Sequence, residues 1–243
     1  MKKYVLRVME EPLALFVKTI HGDLIQEAKR LLPTEVQQAK RRLSQAKLRQ
    51  FIISRAFVRH TLGLMLGTDW QHTPICLSKS GKPYLPALAR QLWFNVSHAK
   101  NTICVAFSQH SDIGVDIESA QRVVPNALKK FAFSEHEQQM AQSQVDINSA
   151  FLHYWVAKEA VLKCIGCGLN RALQSIRIEQ GSDGQIWAQD LLSNCVSKRY
   201  FQLFRIPDIS GYVGYLALPV STLKLPINQQ KNVRNSNYQW RLE

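Results

Sequence analysis

The sequence lacks the features of a membrane-spanning or exported chain. None of its 243 residues lies in an apolar run of the roughly 20 residues that a membrane-spanning helix needs. Near the beginning of the chain, Arg7, Glu10 and Glu11 interrupt the apolar core that a signal peptide requires. We therefore expect a cytoplasmic protein with no membrane partner.

Cysteine is sparse, with five residues scattered along the chain. An odd and scattered set does not suggest a disulfide framework, so reduced thiols are expected. Cys164 and Cys167 form a C-x-x-C motif, which is typical of a redox centre or of half a zinc site. No second C-x-x-C and no paired histidines stand at ligand spacing, which argues against zinc.

Acidic residues are also few. Eighteen Asp and Glu against 31 Lys and Arg give a net charge of +13. Such an excess favours an anionic partner, which can be nucleic acid, an acidic membrane surface, a polyphosphate ligand or an acidic protein. A nucleic-acid-binding protein is therefore one alternative, although the sequence has neither a Lys-rich tail nor a recognisable binding motif.

The hydrophobic pattern predicts strands and helices in both halves of the chain. Residues 3–9 are predicted to form a strand, and residues 35–66 a long helix with room for one break. Thr34 is the expected N-cap of this helix, and Gly63 and Gly67 mark its end. Further along we predict a loop at 78–90, helices at 125–131, 134–143 and 147–165, and strands at 92–96, 102–107, 113–118, 175–179, 185–189, 199–206 and 212–218.

The predicted strand 113–118 contains Asp116 and Glu118. Side chains two apart on a strand share a face, so the two carboxylates point the same way while Val115 and Ile117 point into the core. Two carboxylates on one face repel unless a cation lies between them, and oxygen ligands suit Mg²⁺. The alternative is an edge strand with a polar outer face.

The predicted helix 147–165 contains Trp155, Glu159 and Lys163, which are four residues apart and lie on one face. One interpretation is a surface Glu–Lys pair. The other is the wall of a site, because a tryptophan shares the face. There Glu159 could bind a metal or act as a general base, and Lys163 could neutralise charge on a phosphate.

Ser97 and His98 stand next to each other in the sequence. Adjacent residues of a strand face opposite ways, so they cannot form a nucleophile–base pair directly, and no G-x-S-x-G elbow is present. His98 is better interpreted as a phosphate ligand or a structural loop residue.

Five motifs in order carry a resemblance to a known family. They are Gly81-Lys82-Pro83, Phe94-Asn95-Val96-Ser97-His98, Gly114-Val115-Asp116-Ile117-Glu118, Phe133-Ser134 with Glu137, and Trp155-Val156-Ala157-Lys158-Glu159-Ala160 with Lys163. In this order and spacing they resemble Sfp-type 4′-phosphopantetheinyl transferases over residues 78–169. Gly166-Cys167-Gly168-Leu169 matches the glycine-rich turn that ends the family's helix, so the C-x-x-C is incidental to a helix end.

The resemblance implies an α+β fold of two similar halves, a pseudo-dimer in which each half packs a long helix on a small, mostly antiparallel sheet. Residues 1–112 would form the N-terminal half on the coenzyme A side. Residues 113–222 would carry the metal-binding and catalytic motifs, and residues 223–243 would be a polar tail, mobile or docked. Two fused halves further suggest a monomer.

The resemblance also implies roles for residues. Asp116, Glu118 and Glu159 would hold Mg²⁺, or Mn²⁺ as an alternative, against the pyrophosphate of coenzyme A. Lys163 would lie near the same pyrophosphate, and Glu159 would take the proton of the attacking hydroxyl, directly or through a water. The residues expected to contact coenzyme A are Lys82, Pro83, Ser97, His98 and Lys158.

The 3′-phosphate of coenzyme A would meet a basic residue of the N-terminal third. Arg49 is the first candidate and Arg42 the second, out of a set that also includes Lys40, Arg41, Lys47, Arg55 and Arg59. For any single one of these residues, a solvated helix face is the simpler interpretation.

The implied reaction transfers the 4′-phosphopantetheine group of coenzyme A to a serine of an acidic acyl or peptidyl carrier protein and releases 3′,5′-ADP. It would serve fatty acid or polyketide biosynthesis or a related pathway, with no nucleic acid involved. A non-catalytic, carrier-binding relative is a further alternative. Asp116, Glu118, Glu159 and Lys163 argue against it, because a dead relative has no chemical need for all four.

Overall fold

The computed structural model of the protein describes most of the chain. The described residues are 1–8, 11–20, 24–29, 31–67, 73–88, 92–167, 171–182, 184–193, 199–207, 209–220 and 240–242. The helices are α1 (Leu24–Ala28), α2 (Pro33–Arg42), α3 (Gln45–Leu66), α4 (Asn126–Ala132), α5 (Glu135–Gln142) and α6 (Ile147–Ile165). The strands are β1 (Lys2–Val8), β2 (Glu11–Thr19), β3 (Cys76–Leu77), β4 (Pro83–Tyr84), β5 (Trp93–Ala99), β6 (Thr102–Ser108), β7 (Gly114–Ser119), β8 (Ile176–Gln180), β9 (Ile186–Asp190), β10 (Arg199–Arg205), β11 (Tyr212–Val220) and β12 (Trp240–Leu242).

The strands form two antiparallel sheets of five strands each, together with a short β3–β4 pair. The first sheet has the order β12-β1-β2-β6-β5, and the second has the order β7-β11-β10-β9-β8. The mixed α and β fold with antiparallel sheets, expected from the sequence, is therefore confirmed.

The sheets and the two long helices make four layers. Helix α3 packs on the outer face of the first sheet, where Phe57 and Leu62 meet Phe107. The two sheets face each other across a second cluster of buried side chains, which includes Leu15, Val115 and Ile117. Helix α6 covers the outer face of the second sheet through a third cluster, formed by Val156, Ala160, Leu203, Tyr215 and Ala217 among others.

Strand β2 was not predicted from the sequence. It lies between β1 and β6, and its described side chains from Leu13 to Val17 are buried or half-buried. Leu15 contacts the facing sheet, while Phe16 packs toward α3. A strand buried on both faces has no alternation of polar and apolar residues, so the pattern used to find strands is missing.

The long N-terminal helix is divided in two, as the sequence allowed. Helix α2 ends at Leu43, whose backbone is extended, and Ser44 is the N-cap of α3. The expectation that Thr34 caps the first part is wrong. The N-cap is Leu32, whose backbone N–H donates to Glu35 at 3.2 Å, so Thr34 lies inside the first turn.

Glycines end both long helices, as predicted. Gly67 closes α3 with φ 65°, and Gly166 closes α6 with φ 79°, a left-handed conformation that glycine adopts without steric cost. Among the helices of the described segments, none combines the length and apolarity that crossing a membrane requires.

The last described residues, Trp240–Leu242, pair with β1 at the edge of the first sheet, where Leu242 stands opposite Tyr4. They come from the segment predicted as a polar tail, and the remainder of that segment lies outside the described residues. So do Gly168 and Leu169 of the predicted glycine-rich turn, and Cys195.

Candidate active site at the joint of the two sheets

Side chains of β5 join the edges of the two sheets. The backbone N–H of Val115 donates to Asn95 Oδ1 at 3.1 Å, and the N–H of Ile117 donates to Ser97 Oγ at 3.2 Å. Both partners advance by two residues in the same direction, so β5 and β7 run parallel, linked by side chains instead of a backbone ladder. Because a buried backbone N–H needs a partner, Asn95 and Ser97 fix the position of β7.

Gly114 lets β7 approach helix α6 closely. A Cβ atom at this position would lie 2.0 Å from the carbonyl oxygen of Ala160 and 2.4 Å from the backbone nitrogen of Cys164. Only glycine fits such a contact. Side chains two and four residues further along this face of β7 therefore lie against α6 as well.

Asp116 is the centre of a small polar network. Its Oδ1 accepts hydrogen bonds from Ser97 Oγ at 2.8 Å and from Lys163 Nζ at 2.7 Å. Lys163 Nζ also donates to Ser97 Oγ at 2.9 Å. The network brings together β5, β7 and α6, so residues 66 positions apart in the sequence meet at one carboxylate.

Glu159 is a buried carboxylate of the site that has few partners for its negative charge. The residue is 9% exposed, and its Oε1 is buried without a hydrogen-bond partner among the described residues. Burial and the nearby charge of Asp116 raise the pKa of Glu159 to about 7, although Lys163 and Arg122 act in the opposite direction. A buried carboxylate of this kind is costly unless a proton or a cation reaches it.

Glu118 points toward Arg122, a residue that the sequence reasoning did not select. The Arg122 guanidinium donates to Glu118 Oε2, and the Ser119 N–H donates to Oε1 at 2.8 Å. The same guanidinium lies 5.1 Å from the centroid of the Trp155 ring, a cation–π distance. The spacing of four residues between Glu118 and Arg122 is the available sequence signal, but it spans a strand end and a turn, where it predicts no contact.

The match between strand and helix spacing explains why the two motifs meet. Two residues of a strand advance about 6.6 Å, and four residues of a helix about 6 Å. Successive side chains on this face of β7, Asp116 and Glu118, therefore lie beside successive side chains on the facing side of α6. Those side chains are Lys163, Glu159 and Trp155. The prediction that each set shares one face agrees with this placement.

Lys158 has a place in the core instead of the site. It is fully buried, and its ammonium donates to Glu137 Oε2 at 2.7 Å and to the carbonyl of Ala132 at 2.9 Å. Its Nζ also lies 5.4 Å from the centroid of the Phe133 ring. Glu137 accepts in addition from the N–H of Ile178 at 3.1 Å. This ion pair fastens α6 to α5 and β8, so contact between Lys158 and a nucleotide would require breaking it.

Lys82 connects the loop before β4 to the end of α6. Its ammonium donates to Asp112 Oδ1 at 2.8 Å and to the carbonyl of Cys164 at 2.9 Å. The Lys82 cation therefore interacts favourably with the C-terminal end of α6, where the helix dipole is negative.

A cleft of about 210 Å³ opens beside Lys82. Its lining combines apolar rings with two charged groups, a combination that suits a planar ring carrying phosphate. The lining residues are Ser78, Lys82, Pro83, Tyr84, Leu85, Leu92, Trp93, Phe94 and Asp112. Pro83, which was expected to contact coenzyme A, is thus part of a described cleft.

Ser97 and His98 face opposite sides of β5, as predicted. Ser97 is buried in the network around Asp116, whereas His98 is exposed. The His98 ring nevertheless lies near the site: partial burial and the charge of Lys163 lower its pKa, while Asp116 and Glu118 act to raise it.

The candidates for the 3′-phosphate separate into two groups. Arg42 and Arg49 are exposed on α2 and α3, and within the described segments neither is hydrogen-bonded or ion-paired to the carboxylates. Arg55 and Arg59 are buried: Arg55 donates to the carbonyl of Ile75 at 3.1 Å and Arg59 to that of Thr73 at 3.0 Å. These two residues therefore anchor the chain that follows α3.

The expected metal ligands fit a cation in their chemistry but do not yet form a cluster. Within the described ranges, no three His, Cys, Asp or Glu side chains converge closely enough to hold a metal ion. Asp116 is near enough to raise the pKa of Glu159, and Glu159 Oε1 has no hydrogen-bond partner in the described part of the chain, which suits an additional cation. Glu118 is engaged by Arg122 and would have to release it to join them.

Comparison with known proteins links part of the chain to a family. Residues 112–213 match the model of the 4′-phosphopantetheinyl transferase superfamily. This segment, less than half of the chain, is similar to that superfamily. The resemblance inferred from the motifs is therefore confirmed.

Named relatives agree with this assignment. The chain is 31% identical over 135 residues to the 4′-phosphopantetheinyl transferase HetI of Nostoc, which covers 54% of the chain and 56% of that relative. It is 36% identical over 90 residues to the 4′-phosphopantetheinyl transferase AcpT of Salmonella typhimurium, covering 35% of the chain and 45% of the relative. The chain thus spans about half the length of the curated relatives it matches.

Among solved structures, the holo-[acyl-carrier-protein] synthase of Thermotoga maritima matches with a TM-score of 0.36 at 19% identity. The match covers 44% of the chain and 62% of that protein.

Proposed function

We propose that the protein transfers the 4′-phosphopantetheine group of coenzyme A to a serine of an acyl or peptidyl carrier protein and releases 3′,5′-ADP. The observation that carries this proposal is Glu159. It is a buried carboxylate with one oxygen that has no hydrogen-bond partner among the described residues, beside Asp116 and Lys163, inside the segment that matches the superfamily model.

In this proposal Asp116, Glu118 and Glu159 hold Mg²⁺, or Mn²⁺ as an alternative. When bound, the ion would neutralise the charge of the pyrophosphate and of the departing 3′,5′-ADP. Oxygen-only ligands are the donors that Mg²⁺ prefers, and carboxylates that otherwise repel one another gain a shared partner.

The chain's own residues would position the reactants and move one proton. Lys163 forms an ion pair with Asp116. Its ammonium would also interact with the phosphates of coenzyme A. Glu159, whose pKa of about 7 is near neutral pH, would accept the proton of the serine hydroxyl directly or through a water. Ser97, which was expected to contact coenzyme A, is 1% exposed and hydrogen-bonded to Asp116 and Lys163, so it would act by holding these two residues in place.

Coenzyme A would enter from the side of the first sheet. Lys82 and Pro83 line the cleft beside β4, and the exposed His98 ring lies near Lys163, so these residues would contact the nucleotide and its phosphates. For the 3′-phosphate we keep Arg49 first and Arg42 second, since both are exposed. Lys158 is not among the proposed coenzyme A ligands, because its ammonium is enclosed by Glu137 and the carbonyl of Ala132.

The remaining parts of the proposal concern the whole protein. The excess positive charge suits an acidic carrier and the phosphates of coenzyme A. Each sheet, together with the long helix that covers it, would correspond to one of two similar halves. These halves, residues 1–112 and 113–222, would be fused into one monomer.

The test is a transfer assay read by mass spectrometry. The purified protein is incubated with coenzyme A, Mg²⁺ and an apo acyl carrier protein, and the carrier is weighed. We expect a gain of one phosphopantetheine that disappears with EDTA. Asp116→Ala and Glu159→Gln should abolish the gain with an unchanged circular dichroism spectrum. Glu179→Gln, the same change on the exposed strand β8, is the matched control and should transfer normally.

Each failure points to a different conclusion. No mass gain on acyl and peptidyl carriers, with coenzyme A bound in calorimetry, would indicate a non-catalytic relative. Neither transfer nor coenzyme A binding would contradict the proposal. Steeply salt-dependent retention on DNA would then favour the nucleic-acid alternative.

A further inference from the structure

Arg122 forms an ion pair with Glu118, one of the three carboxylates of the proposed metal site. Its guanidinium donates to Glu118 Oε2, while Glu118 Oε1 is taken by the N–H of Ser119 at 2.8 Å. Both oxygens of Glu118 therefore have a protein donor. A divalent cation that recruits Glu118 has to compete with Arg122 for it.

The backbone of Arg122 is fixed, so the side chain is the part that can move. The Arg122 carbonyl accepts from Asn148 Nδ2 at 2.9 Å, and the Val124 N–H donates to Asn148 Oδ1 at 3.0 Å. Asn148 belongs to the first turn of α6, which anchors this turn of chain from both sides. In addition, the Arg122 N–H donates to the carbonyl of Ser119 at 2.9 Å.

The side chain of Arg122 has a second contact that can report its position. It lies over the ring of Trp155 with its central carbon 5.1 Å from the centroid. The ion pair with Glu118 is open to solvent, with side-chain exposures of 38% for Arg122 and 19% for Glu118. Ion pairs of this exposure are weak, so a divalent cation can displace them.

We propose that Arg122 is a built-in counter-cation of the carboxylate site. It holds Glu118 when no divalent cation is bound, and the cation displaces it, moving the guanidinium away from Glu118 and from its place over Trp155. Arg122 is thus a positioning residue that lowers metal affinity and couples metal binding to a change around Trp155. This inference rests on the proposed function, because it takes Glu118 as a metal ligand.

The test is a titration of the full chain with Mn²⁺ alone, followed by calorimetry and by tryptophan fluorescence. The wild-type protein should bind Mn²⁺ with a change in fluorescence, and Trp155→Phe should bind with equal affinity but without that change. Arg122→Gln removes the competing charge, so its Kd for Mn²⁺ should fall roughly fivefold, with the fluorescence response lost.

Two further variants complete the design. Arg177→Gln removes the same charge from an exposed residue of β8, at the opposite edge of the same sheet and about 19 Å away by strand spacing. It should match the wild type in both readouts. Arg122→Lys keeps the charge, so it should retain the wild-type Kd within about twofold while losing most of the fluorescence response. It also serves if Arg122→Gln does not fold.

The outcomes separate this inference from the proposed function. An Arg122→Gln protein that binds Mn²⁺ no more tightly than the wild type overturns the inference, and so does a wild-type response that persists in Trp155→Phe. In either case, normal transfer by the same preparation leaves the proposed function standing. A wild-type protein that binds no Mn²⁺ overturns the metal site and the inference with it.

Discussion

Replacing Lys158 by methionine separates a structural role from a role in binding coenzyme A. Methionine nearly fills the volume of lysine, but it removes the ammonium that pairs with Glu137. The two side chains are 0% and 1% exposed, so Glu137 would keep its negative charge in a buried place without a counter-cation. Breaking a buried ion pair from one side costs about 3–5 kcal/mol, a large share of the roughly 5–15 kcal/mol that stabilises a typical domain.

The assay is urea denaturation followed by circular dichroism, with coenzyme A binding measured on the folded protein. With a slope of about 3 kcal/mol per molar urea, a loss of 4 kcal/mol lowers the midpoint by about 1.3 M. Below the transition, Lys158→Met should bind coenzyme A as the wild type does. Lys163→Ala is the matched comparison. It removes the cation from Asp116 in a pair that is less buried, with side-chain exposures of 28% and 11%, so stability should fall less than in Lys158→Met, while the transfer rate falls more than the affinity for coenzyme A. A Lys158→Met protein of unchanged stability with weakened coenzyme A binding would refute this reasoning.

Three further changes test the joint and the core. Gly114→Ala places a Cβ atom 2.0 Å from the Ala160 carbonyl, so it should destabilise the protein by about 3 kcal/mol or more in thermal unfolding. An unchanged Tm would show that β7 and α6 are less closely packed. Ser97→Ala removes the hydroxyl that links Asp116, Lys163 and the Ile117 N–H. The free energy of unfolding should fall by about 1–3 kcal/mol, and the transfer rate should fall as well. The rate is the informative readout, and an unaffected rate would exclude a positioning role. His153 has its pKa lowered by burial and by Arg205, so the unfolded chain binds its proton more readily. The folded protein should therefore lose stability relative to His153→Gln as the pH falls below about 6.5, and a constant difference between pH 7.5 and 5 would contradict this.

Most of the secondary structure could be predicted from the sequence because its signals are local. The 3.6-residue period of α3 and α6, and the glycines at their ends, depend only on neighbouring residues. Strand β2 could not be predicted in the same way, since burial on both faces removes the alternation. The predicted N-cap of α2, Thr34, was wrong. The helix begins earlier, and the N–H of its N-cap residue Leu32 donates to the side chain of Glu35.

The candidate site was predicted in part, for the same physical reason. The faces that carry Asp116 and Glu118, or Glu159 and Lys163, follow from the periods of strand and helix. The partners of these side chains do not, because Ser97 reaches Asp116 only after the two sheets come together. Lys158 did leave a signal. Phe151, Leu152, Tyr154, Val161 and Leu162 stand three to seven residues from it, and that apolar surround predicts burial better than its place beside Glu159.

The candidate site also extends beyond the segment that matches the superfamily model. Residues 112–213 carry the carboxylates and Lys163, but the groups that hold them come from earlier in the chain. Asn95 and Ser97 fix the backbone of β7, Ser97 completes the network of Asp116, and Lys82 ties the end of α6 to the loop before β4. Removing these contacts would leave the N–H groups of Val115 and Ile117 unpaired and Asp116 with Lys163 alone. The two sheets and their helices therefore act together in the proposed function: the second sheet and α6 would supply the chemistry, and the side chains of β5 and Lys82 determine where those groups are held.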